Sequence, residues 1–255
     1  MMAKHAKTKR KINIRLLIAG IIALAGVGFL LYPVITTLSY KSQVSSQKQD
    51  FINKTQGSTS QGQQGSQGSN GQLPPDEEVE KPYEELYQFL KSENERMAQD
   101  GQAGLVDAFS YQVAGVDLSK HGIEDGCIGF IEIPSINVIM PIYLGANSYN
   151  MSMGAVHLTQ TSYPIGGVNT NCVIAAHRGG TTDMLRNIHK LAIGDEIIIT
   201  NFREVLTYRV VDYKIILPTD INEVKIQQGR DLVTLVSCNP LGSNTQRYVV
   251  YCERV

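Results

Sequence analysis

The sequence contains no tryptophan and no Cys-x-x-C pair, and its charges nearly cancel, with 23 Lys and Arg against 24 Asp and Glu. Without a basic excess concentrated in the folded region, there is no electrostatic reason to expect a nucleic-acid partner. Without paired spacing, the four cysteines Cys127, Cys172, Cys238 and Cys252 lack the pattern of a zinc site and the density of a disulfide-stapled scaffold. Two disulfides remain open to them in an oxidising compartment; the alternative makes Cys127, Cys172 and Cys252 buried small hydrophobes. No Asp-x-Asp-x-Asp-Gly run occurs, so Asp183, Asp195 and Glu196 do not read as a cation site. Neither a metal nor a cofactor is expected. Twelve tyrosines are present to supply aromatic packing.

Charge is also missing from Leu16 to Tyr32, a run continued by Pro33, Val34 and Ile35. At a 1.5 Å rise per residue, this length approaches the roughly 30 Å hydrocarbon core of a bilayer. Lys4, Lys7, Lys9, Arg10, Lys11 and Arg15 flank it on the N-terminal side. That bias predicts a cytoplasmic tail over residues 1–15, a single transmembrane anchor over 16–36, and an extracellular remainder at the cell membrane. A cleaved signal peptide is the alternative, but the run ends in bulky Phe29-Leu30-Leu31-Tyr32 rather than a small-x-small site.

Apolar side chains become scarce next. Residues 37–75 are rich in Gln, Ser, Gly and Asn and predict a disordered tether lifting a domain off the membrane. Apolar residues at helical spacing around Leu86, Phe89 and Leu90 then predict an amphipathic helix over about 78–99, within an N-terminal segment spanning 76–126. From Cys127 the pattern changes to short strands: Cys127–Ile133, Ile136–Tyr143 (broken by Pro141), Cys172–Ala176, Glu196–Thr200, Val205–Leu217, Leu232–Cys238 and Tyr248–Cys252. A helical turn or two near Thr182–Lys190 interrupts them. Seven or eight strands over 127–255 predict a mainly β fold, a closed or nearly closed barrel.

Two of these strands end in reactive side chains. One delivers His177 before a glycine-rich turn, the other delivers Cys238 before Asn239-Pro240, and Arg247 follows at the start of the last strand. A rigid scaffold holds a nucleophile and its proton partner at strand ends in this way. Taken singly, each has an unremarkable explanation: a buried thiol, a locally bonded imidazole, a solvated guanidinium. His157 and His189 have no companion motif and read as structural. Cys252, five positions from Arg247 on one strand, is expected on the opposite face.

Together the flanks are specific. Ala176-His177-Arg178-Gly179, Thr234-Leu-Val-Ser-Cys238-Asn-Pro and Asn244-Thr-Gln-Arg247 resemble the histidine, cysteine and arginine motifs of sortases. Ile128–Ile136 resembles that family's first strand, and Gly154–Leu158 its segment before the histidine. The resemblance implies a sortase-like barrel and a cysteine transpeptidase that cleaves an LPXTG-like sorting signal and joins it to an amine. It implies Cys238 as nucleophile, His177 as proton partner and Arg247 as the cation that positions carbonyls. It is strongest toward the pilus-assembling class C, whose N-terminal lid carries an Asp-Pro-aromatic motif. Val106-Asp107-Ala108-Phe109 is similar, with Ala108 in place of proline, and places Asp107 near Arg247 and Phe109 over Cys238. The implied partners are a sorting-signal peptide and an amine acceptor, either a pilin lysine or a cell-wall precursor. A surface-anchored binding module with an inert cysteine remains the reading from another class.

Overall fold

The structure is a computed structural model that describes residues 14–56, 83–179 and 184–255. The basic tail before residue 14, residues 57–75 of the expected tether, the first residues of the expected 78–99 helix and residues 180–183, Asp183 included, lie outside the described residues.

The alternating segments become eight strands: β1 (Cys127–Ile133), β2 (Val138–Leu144), β3 (Ala155–His157), β4 (Thr170–Ala175), β5 (Glu196–Asn201), β6 (Val205–Ile216), β7 (Asp231–Asn239) and β8 (Gln246–Arg254). They close into a barrel in the order β1-β2-β3-β4-β7-β8-β6-β5. Most neighbours are antiparallel, but β2 with β3 and β4 with β7 run parallel. Closure removes the exposed sheet edges that would otherwise template aggregation. Pro141 does not break β2. The neighbouring β3 begins opposite Ile142, one residue beyond the position where the proline lacks its donor.

Buried apolar side chains form two layers. Cys172 and Ile174 of β4, Val233 and Leu235 of β7, and Tyr248, Val250 and Cys252 of β8 join a large core shared with β1, β2, β5 and β6. The alternate residues, Val173, Ala175, Val236, Val249 and Tyr251, pack on the other side, under Leu105, Ala108 and Met151. Period-2 alternation thus gives β4, β7 and β8 two buried faces.

The helices correct one expectation. α1 (Ile14–Thr55) runs unbroken through the first half of the expected tether. Its length is about 63 Å at 1.5 Å per residue. Protected residues recur at helical spacing, with Tyr40, Val44, Gln47, Lys48, Phe51 and Thr55 forming one stripe. Tyr40 Oη donates to the Met153 carbonyl (3.2 Å), Gln47 donates to Tyr143 Oη (3.3 Å), and Lys48 pairs with Glu132. Phe51 meets Phe130 edge-on with centroids 5.5 Å apart. The local Gln/Ser richness is the solvated back of an amphipathic helix, not a disordered linker. The apolar first half stands clear of the barrel, with Leu24 74% and Phe29 82% exposed. Among the described residues α1 is the one helix long and apolar enough to cross a membrane.

α2 (Glu84–Asp100) buries Leu86, Leu90, Asn94 and Met97 against the barrel. The Asn94 side-chain oxygen accepts from the Tyr163 backbone N–H (2.7 Å). Arg203 joins the start of α2 to the barrel by pairing with Glu84 (2.6 Å) and lying over the Tyr87 ring. α3 (Ser148–Met153) forms the crossover between parallel β2 and β3.

Candidate active site

The site is set by register. In the antiparallel β7–β8 pair, Cys238 and Arg247 are direct partners. Directly opposed residues of a ladder project from the same face with Cβ atoms about 5 Å apart. On the other side, β4 runs parallel to β7 with Ala175 opposite Val236. The Ala176 N–H donates to the Val236 carbonyl (3.2 Å), and Ser237 Oγ donates back to the Ala176 carbonyl (2.7 Å). Continuing that register by two residues brings His177 level with Cys238. The three residues expected to act together therefore occupy adjacent strand ends on one face. His177 is exposed, Cys238 half-buried and Arg247 buried, at 5% exposure.

The segment over this face is residues 105–118, and it is closed on the site. Arg247 Nε donates to one Asp107 oxygen and Nη2 to the other, both at 2.7 Å, a bidentate fork. Nη1 donates to the carbonyls of Asn244 (2.8 Å) and Gln246 (3.0 Å), so all three guanidinium nitrogens are engaged. The Phe109 ring lies 4.9 Å from the Arg247 guanidinium carbon and 6.2 Å, centroid to centroid, from the His177 ring. Ala108 is buried in the apolar layer beneath.

The Asp107–Phe109 stretch is fastened on both sides. Gln102 donates to the Gln160 carbonyl (2.8 Å) and accepts from the Ile226 N–H (2.7 Å). The Gln112 N–H donates to the Ala146 carbonyl (2.7 Å), its side-chain oxygen accepts from the Thr159 N–H (2.8 Å), and Thr159 Oγ1 donates to the Val113 carbonyl (2.6 Å). Gly145 permits the close approach: at φ +83° a Cβ there would lie 2.6 Å from the Ala114 nitrogen. The contacts over the site are thus held between two anchored ends.

Electrostatics follow from this closure. Burial pushes the Cys238 thiol up, the Asp107 carboxylate adds to the rise, and Arg247 and Arg178 pull against it. Burial opposes the charge on Arg247, but the hydrogen bonds and charge of Asp107 outweigh it and raise its pKa further. The closed arrangement favours a neutral thiol beside a saturated guanidinium.

Arg178 is a member of the site that charge pattern alone does not reveal. Its Nη1 donates to Asn239 Oδ1 (2.6 Å) and to the Cys238 carbonyl (3.3 Å), and its guanidinium lies over the Tyr248 ring. It stands one residue after His177, and Tyr248 one after Arg247, so alternation turns both to the side away from the fork. Its adjacency to His177 at a strand end was the signal available for it.

The other titratable residues lie elsewhere. His157 is buried in β3, its Nε2 within 3.1 Å of the Thr161 and Ser162 carbonyls and its ring stacked on Tyr163. His189 sits in a short 3-10 turn (Ile188–Lys190). Asp195 accepts from the Ala192 N–H, and Glu196 pairs with Arg209. Cys127, Cys172 and Cys252 are buried free thiols; Cys238 is the half-buried fourth. Cys252 lies in the large core, while Val249 and Tyr251, which share the parity of Arg247 on β8, lie in the other layer.

Known proteins share this architecture. A family model described as Sortase domain matches residues 131–255. Sortase D of Bacillus subtilis is 29% identical over 131 residues, covering 50% of this chain and 63% of that protein. Sortase C1 of group B streptococcus pilus island 1 superposes with a TM-score of 0.62 at 31% identity, covering 71% of this chain and 85% of that one. A structure titled as the lid-mutant of Streptococcus agalactiae sortase C1 superposes at 0.59 with 30% identity, covering 66% and 86%. The chain belongs to the sortase family.

The aligned region of the Bacillus subtilis sortase spans less than two thirds of that protein. The likeness to the solved class C sortases covers more of this chain than the family model does. For this sortase, the barrel of seven or eight strands expected from the strand pattern is observed, closed and with eight strands.

Proposed function

We propose that this sortase is a membrane-anchored cysteine transpeptidase that cleaves an LPXTG-like sorting signal and transfers the new C-terminus to an amine, a pilin lysine during pilus assembly. The observation that carries the reading is the register: Cys238 directly opposes Arg247 on β8, and parallel β4 brings His177 level with both. Amide cleavage requires a nucleophile, an acid for the leaving amine and stabilisation of the oxyanion, and these three residues supply them. Cys238 Sγ attacks the threonine carbonyl carbon, the C–N bond breaks as His177 protonates the departing amine, and a thioester remains. The incoming amine attacks that thioester, gives its proton to His177 and releases the Cys238 thiolate. Arg247, always charged and a fork of donors, orients the peptide carbonyls and stabilises the oxyanion.

Residues 105–118 act as a lid in this reading. Asp107 takes both donors that would meet substrate, and its charge adds to the rise in the Cys238 pKa. Opening frees the guanidinium and removes that contribution in one movement. The pilus assignment draws on the likeness to a sortase C1 named for a pilus island. Single-pass anchoring, with the N-terminus cytoplasmic and the barrel extracellular, draws on the exposed apolar half of α1 and the basic residues before it.

The test is incubation of purified full-length protein with a shaft subunit bearing an LPXTG-like signal. A ladder of covalent multimers that disappears with Cys238→Ala is the expected result. Transfer only to cell-wall precursor would replace the pilin acceptor, and full activity of Cys238→Ala would overturn the nucleophile.

A further inference from the structure

We infer that α3 is a membrane-interface contact that, with α1, seats the catalytic side of the barrel on the bilayer surface. The inference rests on α1 being the anchor.

The argument begins where α1 changes character. From Ile18 to Ile35 the apolar side chains described are exposed, and from Thr36 onward one stripe of the same helix is shielded by the barrel. No flexible linker separates the two halves, because the helix is continuous. Tyr40 Oη donates to the Met153 carbonyl, at the C-terminal end of α3. Tyr40 is five residues beyond Ile35, a rise of about 7.5 Å along the helix. The end of α3 is therefore held within roughly the depth of a headgroup layer from where the apolar run stops.

What α3 presents suits that position. Its sequence, Ser-Tyr-Asn-Met-Ser-Met, carries no charge. Asn150 and Met151 turn inward: the Asn150 amide donates to the Leu144 and Gly145 carbonyls, and Met151 joins the apolar layer. The outward face is Ser148, Tyr149, Ser152 and Met153, with Tyr149 72% and Met153 39% exposed at i, i+4 spacing. An exposed tyrosine and methionine on an uncharged face is costly against bulk water, but an amphipathic ring is at home at the headgroup boundary. The occupant the geometry selects is lipid, because the continuous helix brings that surface to this face.

The catalytic end lies close by. Val156 of β3 pairs with Ala175 of β4, so Gly154 and Met153 precede β3 at the same end where His177 follows β4. The contact would therefore hold the end of the barrel that carries His177 next to the bilayer surface.

The absence of tryptophan makes the test direct, since Tyr149→Trp introduces a sole indole into the full-length chain. The variant is reconstituted in vesicles of phosphatidylcholine and phosphatidylglycerol with brominated acyl chains. Co-flotation is scored first, and fluorescence is compared with Tyr213→Trp, which probes an exposed site on β6. The expected result is blue-shifted emission for Tyr149→Trp, with roughly half its intensity lost to bromine, and none lost for Tyr213→Trp. Co-flotation without quenching overturns the α3 contact and leaves the anchor standing. Failure to co-float overturns the anchor and the contact with it. Concentration-dependent shielding of the indole in detergent without lipid assigns the face to a second copy of the chain and overturns the lipid partner.

Discussion

Asp107 and Arg247, 140 residues apart in sequence, are joined by two parallel hydrogen bonds of 2.7 Å on side chains 18% and 6% exposed. In the proposed lid, this pair is what keeps the guanidinium from a substrate. Charge-assisted bonds of this kind contribute about 1.5–3 kcal/mol, and 1.4 kcal/mol is about tenfold in an equilibrium. Asp107→Ala should therefore raise the rate of Cys238 alkylation by about tenfold or more, by enlarging the open population. Phe109→Ala removes the ring over Arg247 and beside His177 but leaves the Asp107 fork in place. Its effect should be smaller, about threefold, in line with a cation–π contact of ~0.5–1 kcal/mol. Unchanged labelling in both variants would show that the segment is not a gate.

The thiols should separate by burial. Cys127 is pushed up to about 12, first by burial and then by the Asp125 charge, and burial raises Cys172 and Cys252 further. Cys238 alone is half-buried and has two arginines lowering its pKa against burial. Titration of native protein with an aromatic disulfide at pH 8 should consume one thiol quickly, and denaturant should release the remaining three of the four. Cys238→Ala should abolish the fast phase. A fast phase that survives this substitution would mean that another cysteine is the accessible one.

Strand boundaries were legible because alternation is a local property. Cys127–Ile133 is predicted and observed with the same limits, and Cys238 and Arg247 fall in one ladder as their strand-end positions imply. β3 was not predicted as a strand because Ala155–His157 is too short to display a period. The contacts of Asp107 and Phe109 with Arg247 were readable despite the missing proline, because those two residues make them while Ala108 only fills the layer beneath. The second half of α1 was misread for a different reason. Its stripe from Tyr40 to Thr55 is half polar, with Gln47, Lys48 and Thr55 as contact residues, so composition points to a tether. Only the barrel surface facing it reveals the partners of Gln47 and Lys48, and that information lies more than 80 residues away in the chain.

The α1 stripe predicts a graded stability effect. Phe51 is 8% exposed and packs edge-on against Phe130, which is fully buried. Truncating a buried phenylalanine costs about 3–5 kcal/mol. Because the helix sits on the barrel surface, the low end applies, and Phe51→Ala should destabilise by about 3 kcal/mol. For a domain of this size that lowers Tm by roughly 6–12 °C. Ser46 lies on the exposed back of the same helix, and Ser46→Ala should stay within about 0.5 kcal/mol. Thermal melts of the two variants in detergent would give indistinguishable values if residues 41–55 were a loose tether.

His157 should make the fold acid-sensitive. Burial lowers its pKa to about 4 from an ordinary 6.5, although hydrogen bonds to the Thr161 and Ser162 carbonyls pull the other way. Those carbonyls accept, so Nε2 carries the proton and the neutral ring donates to the turn. The turn in turn supports β4, where Thr161 Oγ1 and Ser162 Oγ accept from the Val173 and Asn171 N–H groups. With the folded pKa depressed, the unfolded chain binds the extra proton first as pH falls. The contribution is therefore fully present above about pH 6.5 and is lost progressively toward pH 4. One pKa unit corresponds to about 1.4 kcal/mol, so the loss across that window is of the order of 3 kcal/mol. Urea unfolding at pH 7, 5.5 and 4.5 should show stability falling by this amount. His157→Gln should lower stability at pH 7, because the turn loses its matched donor, yet flatten the pH dependence. A variant that kept the full slope would assign the acid sensitivity to a group other than His157.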